Sequence, residues 1–359
     1  MSLHSTSVMI SRPGVLAALG AALLFGAGTP LAKTLLTGVD PWLLAGLLYL
    51  GSGLGLTLVR ALRPARVRVR LAPGEWRWLA LAVAFGGVMG PVLLMHGLLG
   101  MPASGAALLL NAESVFTAVI AWVVFRENVD RRVFIGMLAI VAGALFLSWP
   151  GSADFGNMLP AIAVLGACLC WGIDNNLTRK VSLADADWIA TVKGLCAGTT
   201  NVALASVLGA AWPAWPALGG ALAVGFFAYG VSLVLFVIGL RHLGTARTGA
   251  YFGVAPFFGA LLAITALGET ATPQLMIASA LMALGVWLHL TERHEHDHLH
   301  EALEHEHEHT HDEHHQHTHG EPVLPGTEHS HRHRHEPMTH GHPHFPDAHH
   351  RHEHGNVKP

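Results

Sequence analysis

Residues 97–127 read GLLGMPASGAALLLNAESVFTAVIAWVVFRE, and residues 239–269 read GLRHLGTARTGAYFGVAPFFGALLAITALGE. Laid on each other without a gap, 142 positions apart, they share Gly97 with Gly239, Leu98 with Leu240, Phe116 with Phe258, Ala118 with Ala260, Ala121 with Ala263 and Glu127 with Glu269. The match continues in Ile135 with Ile277 and Gly143 with Gly285. A second correspondence, offset by 146, lays Gly26, Lys33 and Trp42 on Gly172, Arg179 and Trp188. The chain therefore reads as one unit written twice, residues 1–149 and 150–291, followed by a different segment, 292–359.

Composition identifies the medium in which the repeat folds. Hydrophobic residues make up 52% of the 359 and charged residues only 13%, which excludes an ordinary soluble domain of this length. Apolar runs near the ~20 residues needed to span a bilayer fall at 14–33, 42–60, 77–98, 103–125, 133–149, 157–178, 188–209, 217–240, 246–268 and 273–291. The expected fold is an all-α integral membrane protein of ten transmembrane helices. Basic residues are retained on the cytoplasmic side. They crowd the even-numbered loops, with Arg60 to Arg77, Arg126 to Arg132, Arg179 and Lys180, and Arg241 and Arg247. Both termini are thus expected in the cytoplasm. Five spans per half force the second copy to enter from the opposite face, so the repeats are inverted, an arrangement suited to alternating access.

Polar groups in mid-membrane need a partner, water or a substrate. Glu113, beside Asn111 and Ser114, is the best placed: it binds a proton or a cationic group, or it is a hydrogen-bonded structural carboxyl. Its counterparts are apolar, and Pro256 breaks the helix there. Asp174 and Lys193 lie at similar depth on neighbouring spans and are expected to form an ion pair, acting as a clamp or a gate. Asn175, Tyr229 and Tyr251 complete the expected substrate-binding set, with Trp171, Asn176 and Ser232 as further lining. Glu127 and Glu269 read as helix caps or loop residues. Cys168, Cys170 and Cys196 read as buried small side chains with no disulfide or zinc pattern.

The tail differs in kind. The first 290 residues are net basic, the tail is net acidic, and it holds 23 of the 27 histidines. His294, His296, His298, His300, His305, His307, His309 and His311 alternate with Glu, Asp and Thr. In an extended chain alternate residues share a side, giving imidazole pairs for Zn, Ni, Co or Cu. The tail is expected to be disordered without metal.

Together, Asn111-Ala-Glu113-Ser114 to Phe125-Arg-Glu127-Asn128, its echo from Val254-Ala-Pro256-Phe to Leu267-Gly-Glu269-Thr, and Trp171-Gly-Ile-Asp174 to Arg179-Lys180 resemble the EamA family of the drug/metabolite transporter superfamily. The resemblance covers about residues 14–291, with Arg126 replacing the glycine of a Gly-Glu pair. It implies a multi-pass protein of the bacterial inner membrane that moves a small organic solute, with the lipid bilayer as surroundings and no required cofactor. The alternative is a divalent metal-ion transporter, or a metal-responsive membrane protein whose tail collects or senses metal. No span before residue 290 spaces histidine and acidic ligands one turn apart, which favours the organic solute. The absence of a Gly-x-Ser-x-Gly elbow or paired intramembrane aspartates speaks against an enzyme, and nothing points to nucleic acid.

Overall fold

The computed structural model describes residues 13–62, 71, 74–125, 131–148, 158–181 and 185–291, and in the tail the segments 295–300, 304–309, 329–334 and 338–343. The chain divides into two compact units, Met1–Leu243 with Arg247–Glu292, and Gly244–Ala246 with Arg293–Pro359.

In the helical unit α1 is Pro13–Leu35 and α2 is Pro41–Leu62. Each starts on a proline, whose missing N–H costs nothing in a first turn. Asp40 Oδ1 caps α2 by accepting from the Trp42 and Leu43 amides at 2.9 and 3.2 Å. α3 runs Glu75–Gly100, and α4 follows in two pieces, Ala103–Leu109 and Ala112–Phe125. α5 is Arg131–Ser148, α6 Leu159–Thr178 and α7 Ala186–Val207, the last capped by Asp185 Oδ1 accepting from the Trp188 amide at 2.7 Å. The helical trace from Trp215 passes through Ser232–Phe252, and we call it α8; α9 is Ala255–Leu267 and α10 Pro273–Leu290.

Among the described residues, six stretches are long and apolar enough to cross a membrane: Gly14–Leu35, Pro41–Leu62, Glu75–Gly100, Ala103–Val124, Leu159–Thr178 and Trp215–Gly239. Phe134–Leu147, Ala255–Leu267 and Pro273–Leu288 are shorter apolar helices. The span expected at 188–209 is α7, which carries Asp187 and Lys193. That expected at 246–268 is interrupted, its first part lying at the end of α8. A Cβ added to Gly239 would sit 2.9 Å from the Thr248 side chain. Nine residues of straight helix would separate the two by about 13.5 Å, so the chain turns back between them.

The two halves meet through contacts that repeat with their partners exchanged. On α5, Gly143 faces Met282 and the Ala278 carbonyl of α10; on α10, Gly285 faces Ile140 and the Gly136 carbonyl of α5. Residues 136 and 140 lie 142 positions before 278 and 282, so the contact is its own image under a twofold rotation. The pair is antiparallel. Each end is capped from an equivalent position, though on acceptors that are not equivalent: Gln274 Nε2 donates to the Phe146 carbonyl at 2.8 Å, and Arg132, 142 positions earlier, donates to the Thr291 carbonyl at 2.8 Å. Gly26 of α1 packs on Phe258 of α9, while its counterpart Gly172 of α6 packs on Phe116 of α4.

Small residues carry the tightest approaches, since lipid tails leave helices little hydrophobic drive to associate and close packing must supply the attraction. Gly53 and Gly194 bring α2 and α7 backbone to backbone, and Gly225 lies against the Leu48 carbonyl. Large apolar side chains such as Leu58, Val123, Leu145 and Val207 are exposed on the outside, as a bilayer permits. Cys168 and Cys170 are buried; Cys196, expected to be buried, is exposed, and in lipid an apolar thiol loses nothing by facing outward.

The tail departs from the structureless segment expected. Glu295–His300 pairs antiparallel with Met338–Pro343, and Glu304–His309 with His329–Arg334. The two-residue alternation of imidazole with carboxylate suits a strand. In the second ribbon the register sets His305, His307 and His309 opposite His333, His331 and His329, and Glu304 and Glu306 opposite Arg334 and Arg332. His294 and His311 lie outside the described residues.

Gly225→Val drives a branched side chain into a position where even Cβ would lie 2.0 Å from the Leu48 carbonyl oxygen, whereas a Cβ at Gly219 meets nothing within 4 Å. Overpacking of this kind costs about 3 kcal/mol. Thermal unfolding in detergent is expected to show a clear drop in midpoint for Gly225→Val and none for Gly219→Ala.

Candidate substrate site

Both halves interrupt a helix at nearly the same place. α4 breaks at residues 110–111, where the Asn111 amide donates to the Leu108 carbonyl at 3.1 Å and the Glu113 amide to Leu110 at 3.0 Å, three-residue closures that tighten the turn. α9 is preceded by a break at 253–254, with the Val254 amide on Tyr251 at 3.3 Å. The Pro256 break was legible in the sequence. The first was not, because it uses no proline: Asn111 stabilises it by folding its side-chain amide onto the Leu108 carbonyl at 3.0 Å. Asn111 Oδ1 is buried and has no protein partner.

Glu113 stands in the first turn after this break. Asn175 Nδ2 donates to its Oε1 at 2.8 Å and to Thr117 Oγ1 at 3.2 Å, and Asn176 donates to the Thr117 carbonyl at 3.1 Å. Gly172 permits this crossing by letting α4 approach α6 at Phe116 and Thr117. One turn away, Lys193 Nζ donates to both Asp174 oxygens at 2.6 and 2.7 Å and to Thr178 Oγ1 at 3.1 Å, while Thr178 donates to Asp174 Oδ1 at 2.8 Å. The expected ion pair is present and buried at both ends. Every partner in it is satisfied, as a low-dielectric interior demands. The formal charges of Glu113, Asp174 and Lys193 leave one negative charge in the cluster.

Against this cluster lies a distorted helix. Residues Val83–Met89 of α3 are π-helical, and so are Gly225–Val231 of α8, 142 positions on at both ends. A π-turn releases backbone carbonyls from the α pattern, and here side chains take them up. The Gly86 carbonyl accepts from Tyr49 Oη at 2.7 Å and Trp171 Nε1 at 2.9 Å, and the Gly87 carbonyl accepts from Asn201 Nδ2 at 3.0 Å. Asp174 lies so close to Gly86 that no Cβ would fit between.

Tyr229, inside the second π-turn, joins a ring cluster with Tyr49 at 5.4 Å and Phe25 at 5.9 Å between centroids; Phe25 also meets Trp171 at 6.1 Å and Phe252 at 5.2 Å. Trp171 and Asn175 are one turn apart on α6, so the rings and Glu113 are neighbours. Of the expected set, Asn111, Glu113, Asp174, Asn175, Lys193 and Tyr229 gather around the two breaks. Tyr251 stands at the α9 break, where its neighbour Phe252 takes the ring contact. Phe25, Tyr49, Thr117 and Thr178 were missed; a tyrosine in mid-span was the available signal for Tyr49, whereas phenylalanine and threonine in an apolar helix carry none. Ser232 is structural, donating to the Ala21 carbonyl at 2.9 Å.

A second polar group lies at the α3–α4 turn. Glu269 Oε1 and Oε2 accept from the Ala103 and Ser104 amides at 2.8 and 2.9 Å, and Lys33 donates to the Leu98 and Met101 carbonyls. Partial burial pushes the Glu269 carboxyl up, but the hydrogen bonds from Ser104 and Ala103 and the Lys33 charge outweigh it and hold it below the usual glutamate value. Glu127 lies outside the described residues.

The sequence profile of the EamA-like transporter family matches residues 12–149 and 158–291, one match per repeat. An uncharacterised transporter of Methanothermobacter thermautotrophicus is 27% identical over 294 residues, covering 77% of this chain and 85% of its own length. The uncharacterised inner membrane transporter YedA of Escherichia coli K12 is 25% identical over 267 residues, covering 70% and 85%. A probable 4-amino-4-deoxy-L-arabinose-phosphoundecaprenol flippase subunit, ArnE of Pseudomonas fluorescens, is 35% identical over 86 residues, covering 24% of this chain and 72% of its own. A crystal structure with 19% identity superimposes with a TM-score of 0.61 over 77% of this chain and 98% of the other, a likeness of fold.

Removing one partner of the buried pair leaves the other uncompensated, at a cost of roughly 3–5 kcal/mol. Asp174→Asn and Lys193→Met are each expected to lower the yield of folded protein sharply, and the double change to restore it. Recovery of folded protein without transport identifies a gate; recovery of both identifies a clamp.

Proposed function

Since the chain belongs to the EamA-like transporter family, we propose that it carries a small organic solute across the bacterial inner membrane by alternating access, with both termini in the cytoplasm. The observation that carries this reading is the pair of helix breaks, one within α4 and one just before α9, in corresponding positions of two halves related by an antiparallel exchange of contacts. Short, broken helices at matched positions of inverted repeats mark the binding region of secondary transporters. The two halves rock against each other about the α5–α10 pair, and the solute sits between the breaks, against Glu113, Asn175, Thr117 and the ring cluster.

Glu113 supplies the coupling. The Asp174–Lys193 pair is internally neutral, so the remaining charge on Glu113 must be balanced while the site is closed, by a proton or by a cationic group of the solute. A site that carries one or the other across exchanges solute for proton. The aromatic wall suits the apolar body of an amino acid, amine or similar metabolite.

Reconstituted protein is to be offered a panel of amino acids, amines and other metabolites under an imposed pH gradient. The expected result is gradient-driven accumulation of at least one member, which Glu113→Gln abolishes while leaving downhill exchange measurable. Failure of the whole panel with folded protein sinks the organic-solute reading; undiminished accumulation by Glu113→Gln sinks the coupling role.

We assign a metal-binding role to the tail, supported by its chemistry and by the register that sets histidine opposite histidine. The borderline divalent ions Zn, Ni, Co and Cu suit imidazole pairs. Truncation after Leu290 is expected to remove several equivalents of Zn or Ni binding in a titration of purified protein and to leave solute transport intact. Equal metal uptake by the truncated chain excludes the tail as the site.

A further inference from the structure

The Glu269 carboxylate lies in the second half and caps a helix in the first. α4 begins after Pro102, which supplies neither a side-chain cap nor an N–H, so its first amides need an acceptor from elsewhere. Glu269 provides both oxygens at once. Its delivery is local: Gly268 closes α9 at φ +70°, a left-handed conformation that glycine adopts freely, and turns the next side chain back toward α4. On the other side of the same turn, Lys33 of α1 caps the last carbonyls of α3. Negative charge at a helix start and positive charge at a helix end are each the stabilising sign.

The mechanical consequence follows from what α4 carries. Its first piece, Ala103–Leu109, is buried along its whole length and packs on α9, where a Cβ at Gly259 would lie 3.0 Å from Ala107. Ala103 to Glu113 is about 15 Å of helix, interrupted only at residues 110–111. A shift at the Ala103 end is therefore passed to the break and to Glu113 beyond it.

We propose that Glu269 is a positioning residue for transport: by clasping the start of α4 across the two halves, it holds the α3–α4 end of the molecule shut and sets the place of Glu113. This rests on the alternating-access reading, because only a relative movement of the halves requires the clasp to release. Gln at 269 keeps one acceptor and turns an NH2 toward the second amide, so the closed state loses a charge-assisted contact while the fold keeps its shape.

The test reads the clasp without a transported solute. In a chain with Cys168, Cys170 and Cys196 replaced by alanine, a single cysteine is introduced as Thr29→Cys. Thr29 is buried on α1 one turn before Lys33. A second reporter is Ala190→Cys, buried on α7 near the Arg60–Asp185 pair at the opposite end of α2. Labelling by a membrane-impermeant maleimide is measured on right-side-out and inside-out vesicles, so the exposed face is read directly.

Adding Glu269→Gln is expected to raise the labelling rate at Thr29→Cys at least about tenfold, from one face only, with no rise at Ala190→Cys; Glu269→Asp, which keeps the charge, should raise it less. Unchanged labelling at Thr29→Cys, or an equal rise at both reporters, overturns the proposal, the second because it reports general loosening. If Glu269→Gln does not reach the membrane, Lys33→Gln probes the same turn by the same criteria. Fast labelling in a protein that moves no solute of the panel keeps the clasp and removes the solute reading. Slow labelling in a protein that does transport removes the clasp alone.

Discussion

The contact of α5 with α10 is the constraint from which the rest of the helical unit follows. Gly143 can lie on Ala278 and Met282 only if Gly285 lies on Gly136 and Ile140, because the two glycines and their partners are equivalent positions of one repeated unit. That self-complementarity fixes an antiparallel pairing. An antiparallel pairing in turn inverts the two halves and brings α1 of the first half against α9 of the second, and α6 of the second against α4 of the first. Each pairing again depends on a glycine, Gly26 or Gly172, against a phenylalanine. Without a hydrophobic drive between helices in lipid, such close approach is what holds the bundle. A side chain at any of these glycines attacks the pairing itself.

The same rule explains why the distortions occur where they do. A π-turn leaves backbone carbonyls that the membrane interior cannot hydrate. At Gly86 and Gly87 they persist because three helices send donors to them: Tyr49 from α2, Trp171 from α6 and Asn201 from α7. Glycines at 86, 87 and 90 then leave room for Asp174, Ala197 and Trp171 to come in. Local strain and tertiary packing are thus one arrangement. The irregular part of α3 is where the polar cluster attaches to it.

Much of this was legible in the sequence, for reasons that also mark the limit. Span positions follow from runs of apolar residues, and the repeat from residues that recur at one offset. The Asp174–Lys193 pair follows from two costly charges at one depth, since neither is tolerable alone. The α4 break was not legible, because Asn111 makes it through a side-chain bond that is indistinguishable in sequence from an ordinary buried asparagine. Glu269 was legible as a helix cap but not the helix it caps: a loop glutamate names no partner, and the amides it accepts from lie 165 and 166 positions away. The tail's strands escaped because a polar, histidine-rich composition signals the absence of a core, whereas the two-residue alternation that suits a strand was the available signal.

The repeats are alike in backbone and unlike in charge, and the difference can be located at single contacts. Asp174 packs on Gly86; the equivalent positions are Gly28 and Ala228, and they too are in contact, a Cβ at Gly28 meeting Ala228 at 2.9 Å. Both contacts run between the halves, and the same meeting is filled by a carboxylate against a glycine in one case and by a methyl against a glycine in the other. Trp171 and Phe25 are likewise equivalent positions, and they touch each other across the centre. A perfect twofold would duplicate Glu113 and the ion pair and place several buried charges at one depth, which the membrane interior penalises heavily. Having the polar cluster at one of the two equivalent meetings of the halves, and an apolar match at the other, leaves the symmetric exchange of contacts intact. The formal negative charge of the cluster is thereby confined to a single site.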